Sequence, residues 1–165
     1  MAGPQKNGED AHFPYGTEQV YPGNNFNYHI IPFTEGAFPA KTAQIMPYYG
    51  VPIDQTNENV AFGFNSQIIN DILRDSLGFD GVVCTDWNII SKGALGEPRA
   101  WGVENLTELQ RVKKAIDAGC DQFGGENGKK FMTSNFKNAI LDHQSLDIET
   151  QGENLKVIFD EWKGQ

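Results

Sequence analysis

Apolar residues recur with helical spacing in four stretches of the chain. Ile68, Ile69, Ile72, Leu73 and Leu77 make one stripe, predicting an amphipathic helix over about 66–77 with Asn65 as its N-cap. The stripe is the face turned to a sheet; Arg74 and Asp75 lie opposite and are read as solvated. Leu109, Val112, Ala115 and Ile116 predict a second helix, opened by the capping box Thr107-Glu108-Leu109-Gln110 and closed at Gly119. The same box accounts for Thr107 without invoking the glycosylation sequon Asn105-Leu106-Thr107. Met132, Phe136 and Ile140 predict a shorter helix over 131–141. Leu155, Ile158, Phe159 and Trp162 predict a last one that begins near Asp147.

Between the helical stretches lie short runs of strand character. Thr42-Ala43-Gln44-Ile45-Met46-Pro47 reads as a strand closed by a proline that cannot continue a central ladder. Val82-Val83-Cys84-Thr85 is an apolar, β-rich run typical of a buried parallel strand, and Cys120-Asp121-Gln122-Phe123 is the next. Gly78 stands where a helix needs a left-handed residue to end, and Asp86 stands where the second strand ends. A helix, a glycine turn, a buried strand and a terminal carboxylate form one step of an α/β protein, in which chemistry gathers at the carboxyl ends of strands. About three parallel strands with flanking helices are therefore expected. Residues 1–41, rich in Gly, Pro, Asn and aromatics, follow neither period and read as a long irregular loop packed on the rest. The expected division is 1–41 loop, 42–145 α/β unit and 146–165 C-terminal helix.

Charge and composition narrow the chemistry. A net charge of −9 argues against nucleic acid or an anionic membrane as partner, and no run approaches the ~18 apolar residues of a membrane span. Cys84 and Cys120 have no Cys-x-x-Cys spacing, and the stagger expected of them in neighbouring strands is too long for a disulfide, so both read as small buried hydrophobes. Phosphate loop, dinucleotide fingerprint, His-Glu-x-x-His and nucleophile-elbow motifs are all missing, so no cofactor and no metal are expected. A carboxylate at a strand end with Tyr48, Tyr49, Trp87 and Trp101 in the adjoining loops suits glycoside chemistry, in which aromatic rings stack on sugars. Plain packing is the competing reading for each aromatic.

The run Leu73-Arg74-Asp75-Ser76-Leu77-Gly78-Phe79-Asp80-Gly81-Val82-Val83-Cys84-Thr85-Asp86-Trp87 closely resembles the segment that carries the nucleophile in glycoside hydrolase family 3, the β-glucosidase and β-xylosidase type. The resemblance implies Asp86 as the catalytic nucleophile. Met46-Pro47-Tyr48-Tyr49 resembles the family's Met-x-x-Tyr, which implies Tyr49 beside it; Trp87, because it adjoins Asp86, is the candidate sugar-contacting aromatic. The substrate implied is a β-linked glucoside or xyloside, cleaved with retention. His12-Phe13-Pro14 imitates the family's Lys-His-Phe-Pro-Gly motif without its lysine, so no sugar-binding role is assigned to His12.

The family's N-terminal domain is a (β/α)8 barrel, and residues 3–160 resemble only its last portion: three strands where eight close a barrel. The second carboxyl group of a retaining glycosidase is the difficulty. Glu97, Glu104 and Glu126 all follow strands, but the family's acid/base usually comes from a later region. The expectation is a fragment lacking the acid/base and part of the sugar pocket, with open sheet edges that favour self-association. The alternative is a non-catalytic sugar-binding or assembly remnant of the same domain.

Overall fold

The computed structural model describes residues 3–92 and 96–126, all within one compact unit. The helices expected over 131–141 and from Asp147 onward, and with them the 146–165 segment, lie outside the described residues. The architecture is mixed helix and strand with small parallel sheets. β1 (Glu18–Gln19) pairs in parallel with β3 (Val51–Pro52), and β2 (Gln44–Ile45) pairs in parallel with β4 (Val82–Val83). A further parallel bridge joins Cys84 to Gln122, and Thr85 N–H donates to Gln122 O at 2.9 Å. The expected strands thus occur in the order β2, β4, Gln122, each shorter than the apolar run that signalled it. The β1–β3 pair falls partly in the stretch expected to be irregular. Its edge is extended by an antiparallel bridge from Gln5 to Gln19.

The crossover from β2 to β4 is the helix Gln67–Ser76. Asn65 caps it through Oδ1, which accepts from Ile68 N–H at 3.2 Å. The helix closes with the wide i→i+5 pattern, Leu77 N–H reaching Ile72 O at 2.9 Å. Burial departs from the expected stripe: Ile68, Ile69 and Leu73 are buried whereas Ile72 and Leu77 are only half-buried. Gly78 ends the helix at φ +65°, where a side chain would be strained, and Phe79 N–H returns to Leu73 O.

α1 (Glu108–Asp117) opens with the capping box that Thr107 and Gln110 predicted. Its buried face is rotated from the expected one: Arg111, Val112 and Ala115 are buried, while Leu109 is 38% exposed. Arg111 occupies that face because its guanidinium donates to Ile90 O at 3.0 Å and Glu104 O at 2.9 Å. Around these elements Phe62, Phe64, Ile69, Val83 and Ile90 form the core. Each such side chain contributes roughly 1.5–3 kcal/mol when fully buried. Cys84 and Cys120 are both buried and free.

Arg74 is not solvated. Its Nη1 donates to Phe79 O (3.0 Å) and Gly81 O (2.5 Å), its Nη2 meets Asp121 Oδ2 at 2.7 Å, and its guanidinium lies 5.6 Å from the Phe79 ring centroid. The same Asp121 oxygen accepts from Val83 N–H at 2.7 Å. A tight glycine turn leaves carbonyls that need donors, and a cation one helical turn upstream reaches them. This clamp fixes the entry of β4, and therefore the height at which Asp86 emerges.

Candidate active site

β4 runs on through Cys84 and Thr85 and delivers Asp86, half-buried, at its carboxyl end. Thr85 is fully buried, and its Oγ1 accepts from Gly124 N–H at 2.9 Å. Trp87 N–H donates to Asp86 Oδ1 at 2.7 Å. Trp87 is 50% exposed. Its indole lies against Gly124 and Gly125, where a Cβ at either position would overlap the ring. One part of the indole is therefore backed by glycine backbone and another is open.

Tyr49 comes from the junction between β2 and β3 and is 2% exposed. Its Oη donates to Trp87 O at 2.5 Å. Burial first, and then the adjacent Asp86 carboxylate, push its phenol well above the ordinary tyrosine value. The three residues singled out from the sequence, Tyr49, Asp86 and Trp87, are thus brought together.

A rim surrounds them. The Arg99 guanidinium lies 5.2 Å from the Tyr49 ring centroid, and its Nε donates to His12 O at 3.1 Å. The His12 ring meets Tyr49 edge-on at 4.8 Å, and His12 Nδ1 lies 2.6 Å from Asp10 Oδ1. Hydrogen bonds from the His12 backbone and ring hold the Asp10 carboxyl below its usual range. Trp101 is buried and donates from Nε1 to Ala11 O at 2.8 Å, so it is a packing residue that anchors the loop. The sequence reading missed Arg99 and left His12 without a place. Neither sits on a periodic element, and only the density of aromatics in 1–41 hinted that this loop packs on something.

The three glutamates considered as the second carboxyl group are engaged elsewhere. Glu126 accepts from Ser91 N–H (3.0 Å) and Ser91 Oγ (2.6 Å). Glu97 pairs with Lys92, and Glu104 Oε1 accepts from Gly102 N–H at 3.0 Å. Among the described residues, no group of three His, Cys, Asp or Glu side chains is placed to hold a metal ion. Nor is any described helix long and apolar enough to cross a membrane.

Residues 2–148 match the family model described as the glycosyl hydrolase family 3 N terminal domain. The chain belongs to that family. It is 48% identical over 153 residues to a "Probable beta-glucosidase C" of Aspergillus oryzae, a match covering 90% of this chain and 24% of the relative. It is 47% identical over 150 residues to "Beta-glucosidase C" of Emericella nidulans, covering 88% of this chain and 24% of the relative. A "Periplasmic beta-glucosidase/beta-xylosidase" of Dickeya chrysanthemi is 38% identical over 167 residues, at 88% and 25% coverage. The chain therefore spans about a quarter of the length of the curated relatives it matches.

Proposed function

We propose that this chain carries the nucleophile half of a retaining β-glucosidase, with Asp86 as the nucleophile. The supporting observation is the placement of Asp86: a half-buried carboxylate at the end of β4, held by Trp87 N–H and flanked by Tyr49. In a retaining mechanism the nucleophile attacks the anomeric carbon while a second carboxyl group, about 5–5.5 Å away, protonates the leaving oxygen and later activates water. Tyr49 places beside Asp86 a phenol that stays protonated at neutral pH and gives its proton to Trp87 O, ordering the backbone next to the carboxylate, and the open part of Trp87 offers a stacking surface to the sugar. Glu97, Glu104 and Glu126 are engaged elsewhere, so in this reading the acid/base and the remainder of the sugar pocket are supplied by residues beyond those described.

The fold belongs to the same proposal. The parallel order β2, β4, Gln122, with helices at each crossover, is the arrangement expected of consecutive steps of a (β/α)8 barrel. The substrate class proposed is a β-linked glucoside or xyloside. β2, paired on one side with β4, is the edge proposed for association with further strands.

The test is intact-mass analysis after incubation with 2,4-dinitrophenyl 2-deoxy-2-fluoro-β-glucoside, whose leaving group needs little acid assistance. A single glycosyl adduct in the wild-type chain, missing in Asp86→Asn, is the expected result. An adduct of equal yield in Asp86→Asn would remove Asp86 from the role.

A further inference from the structure

We infer that Arg99 is a positioning residue that holds Tyr49 against Asp86. The inference rests on the reading of Asp86 as nucleophile, and it concerns a residue fifty positions from Tyr49 in sequence. Arg99 is itself anchored twice. Its backbone N–H donates to Asn88 O at 2.7 Å, two residues past Asp86, and Asn88 Nδ2 donates to Glu97 O at 2.9 Å across the same loop. Its Nε is spent on His12 O, which fixes the plane of the guanidinium.

With those contacts made, the guanidinium stands over the face of Tyr49. Its Nη1 is buried and has no acceptor within hydrogen-bond geometry. A buried guanidinium N–H without an oxygen partner is costly, and the electron-rich ring beside it is the compensation present. Tyr49 is thereby confined: Arg99 on its ring, His12 at its edge, Trp87 O at its hydroxyl, and Asp86 beside that hydroxyl. Arg99 also offsets part of the rise that burial and Asp86 impose on the phenol, while the hydroxyl proton itself is given to Trp87 O. Loss of the cation leaves the ring able to tilt away from Asp86 and loosens its hydrogen bond to Trp87 O.

Two readouts separate this from a merely structural role. The first is the tyrosine Cζ NMR signal of Tyr49, assigned by its loss in Tyr49→Phe. Asp86→Asn is expected to shift that signal in the wild-type background and to shift it by less than half as much in Arg99→Met. Arg99→Lys, which keeps the charge, is expected to restore most of the response. The second readout is the rate of glycosyl labelling by the fluoroglucoside. Arg99→Met is expected to slow it about tenfold, a factor equivalent to ~1.4 kcal/mol. In Tyr49→Phe the same substitution should cost less than twofold, because its route of action is gone. An Asp86→Asn shift unchanged by Arg99→Met, or a tenfold cost persisting in Tyr49→Phe, would overturn the inference. If no variant labels, the nucleophile assignment fails, while the NMR comparison still decides whether Arg99 holds Tyr49 against Asp86. Should Arg99→Met lose its near-UV circular dichroism, Arg99→Gln, which retains a donor for His12 O without the charge, replaces it.

Discussion

The floor and the rim of the candidate site are built in different ways. The floor is β4 and its terminal Asp86, held by neighbours close in sequence or in the next strand. The Gly78 turn, the Arg74 clamp on Phe79 O and Gly81 O, and the Asp121 carboxylate on Val83 N–H all fix the backbone. The rim is held by side chains that meet across long separations. Arg99 to His12 spans 87 positions and Trp101 to Ala11 spans 90, against 38 and 47 for the Asp121 contacts of the floor. Backbone geometry sets where the carboxylate stands, and long-range side-chain contacts set what surrounds it. Damage to the floor should therefore appear as lost stability, and damage to the rim as lost function in a folded protein.

The largest expected effect breaks the floor. Asp121→Ala leaves Arg74, with a side chain 23% exposed, without its counter-ion, and leaves Val83 N–H without an acceptor. Removing one partner of a buried pair typically costs ~3–5 kcal/mol. With both partners about a quarter exposed, we expect the lower end, about 3 kcal/mol, in urea unfolding. A loss below ~0.5 kcal/mol, the size of an ordinary surface substitution, would show that the clamp does not set the strand.

Gly125→Ala strikes the boundary between the two regions. Gly125 has φ +68°, and a Cβ there would collide with the Trp87 indole. A strained backbone of this kind costs ~1–3 kcal/mol, and we expect about 2 kcal/mol together with a shifted Trp87 fluorescence maximum. An unchanged spectrum would mean that the indole is not backed by this glycine.

Trp101→Phe sharpens the comparison from the rim side. It removes the donor to Ala11 O while keeping most of the packing. The expected cost is about 1 kcal/mol, with faster amide exchange confined to residues 11–13. Faster exchange throughout β4 would erase the distinction between floor and rim.

The smallest effect is a slope. Burial raises the Tyr21 phenol to about 12, whereas an unfolded tyrosine ionises near ~10. Above pH ~10 the unfolded state binds fewer protons than the folded one, so this contribution is present below that pH and declines as pH rises toward 12. Tyr49, raised in the same direction, adds to it. Tyr21→Phe should flatten the alkaline fall in urea midpoint; an identical fall would contradict the burial account.

The same contrast explains what the amino-acid pattern revealed. The floor was legible because its signals are local: Gly78 before an apolar run, a capping box at Thr107, a carboxylate at a strand end. The rim was not, since Arg99 and His12 lie on irregular segments where no period constrains the partner. Even local stripes were misread in two places. Ile72 and Leu77 of the first stripe stay half-buried, and Arg111 displaced Leu109 by satisfying two loop carbonyls. Arg74 misled in the same manner, because a cation on the polar side of a helix can still be claimed by the turn that follows it.

The most direct test of the account is chemical rescue at the floor. Asp86→Gly is incubated with 2,4-dinitrophenyl β-glucoside and azide, and the anomeric configuration of the glucosyl azide is read by NMR. If Asp86 is the nucleophile, azide takes its place on the same face of the sugar, and the α-glucosyl azide accumulates in Asp86→Gly but not in wild type. Folded Asp86→Gly protein that forms no glucosyl azide, or only the β-anomer, would contradict the assignment.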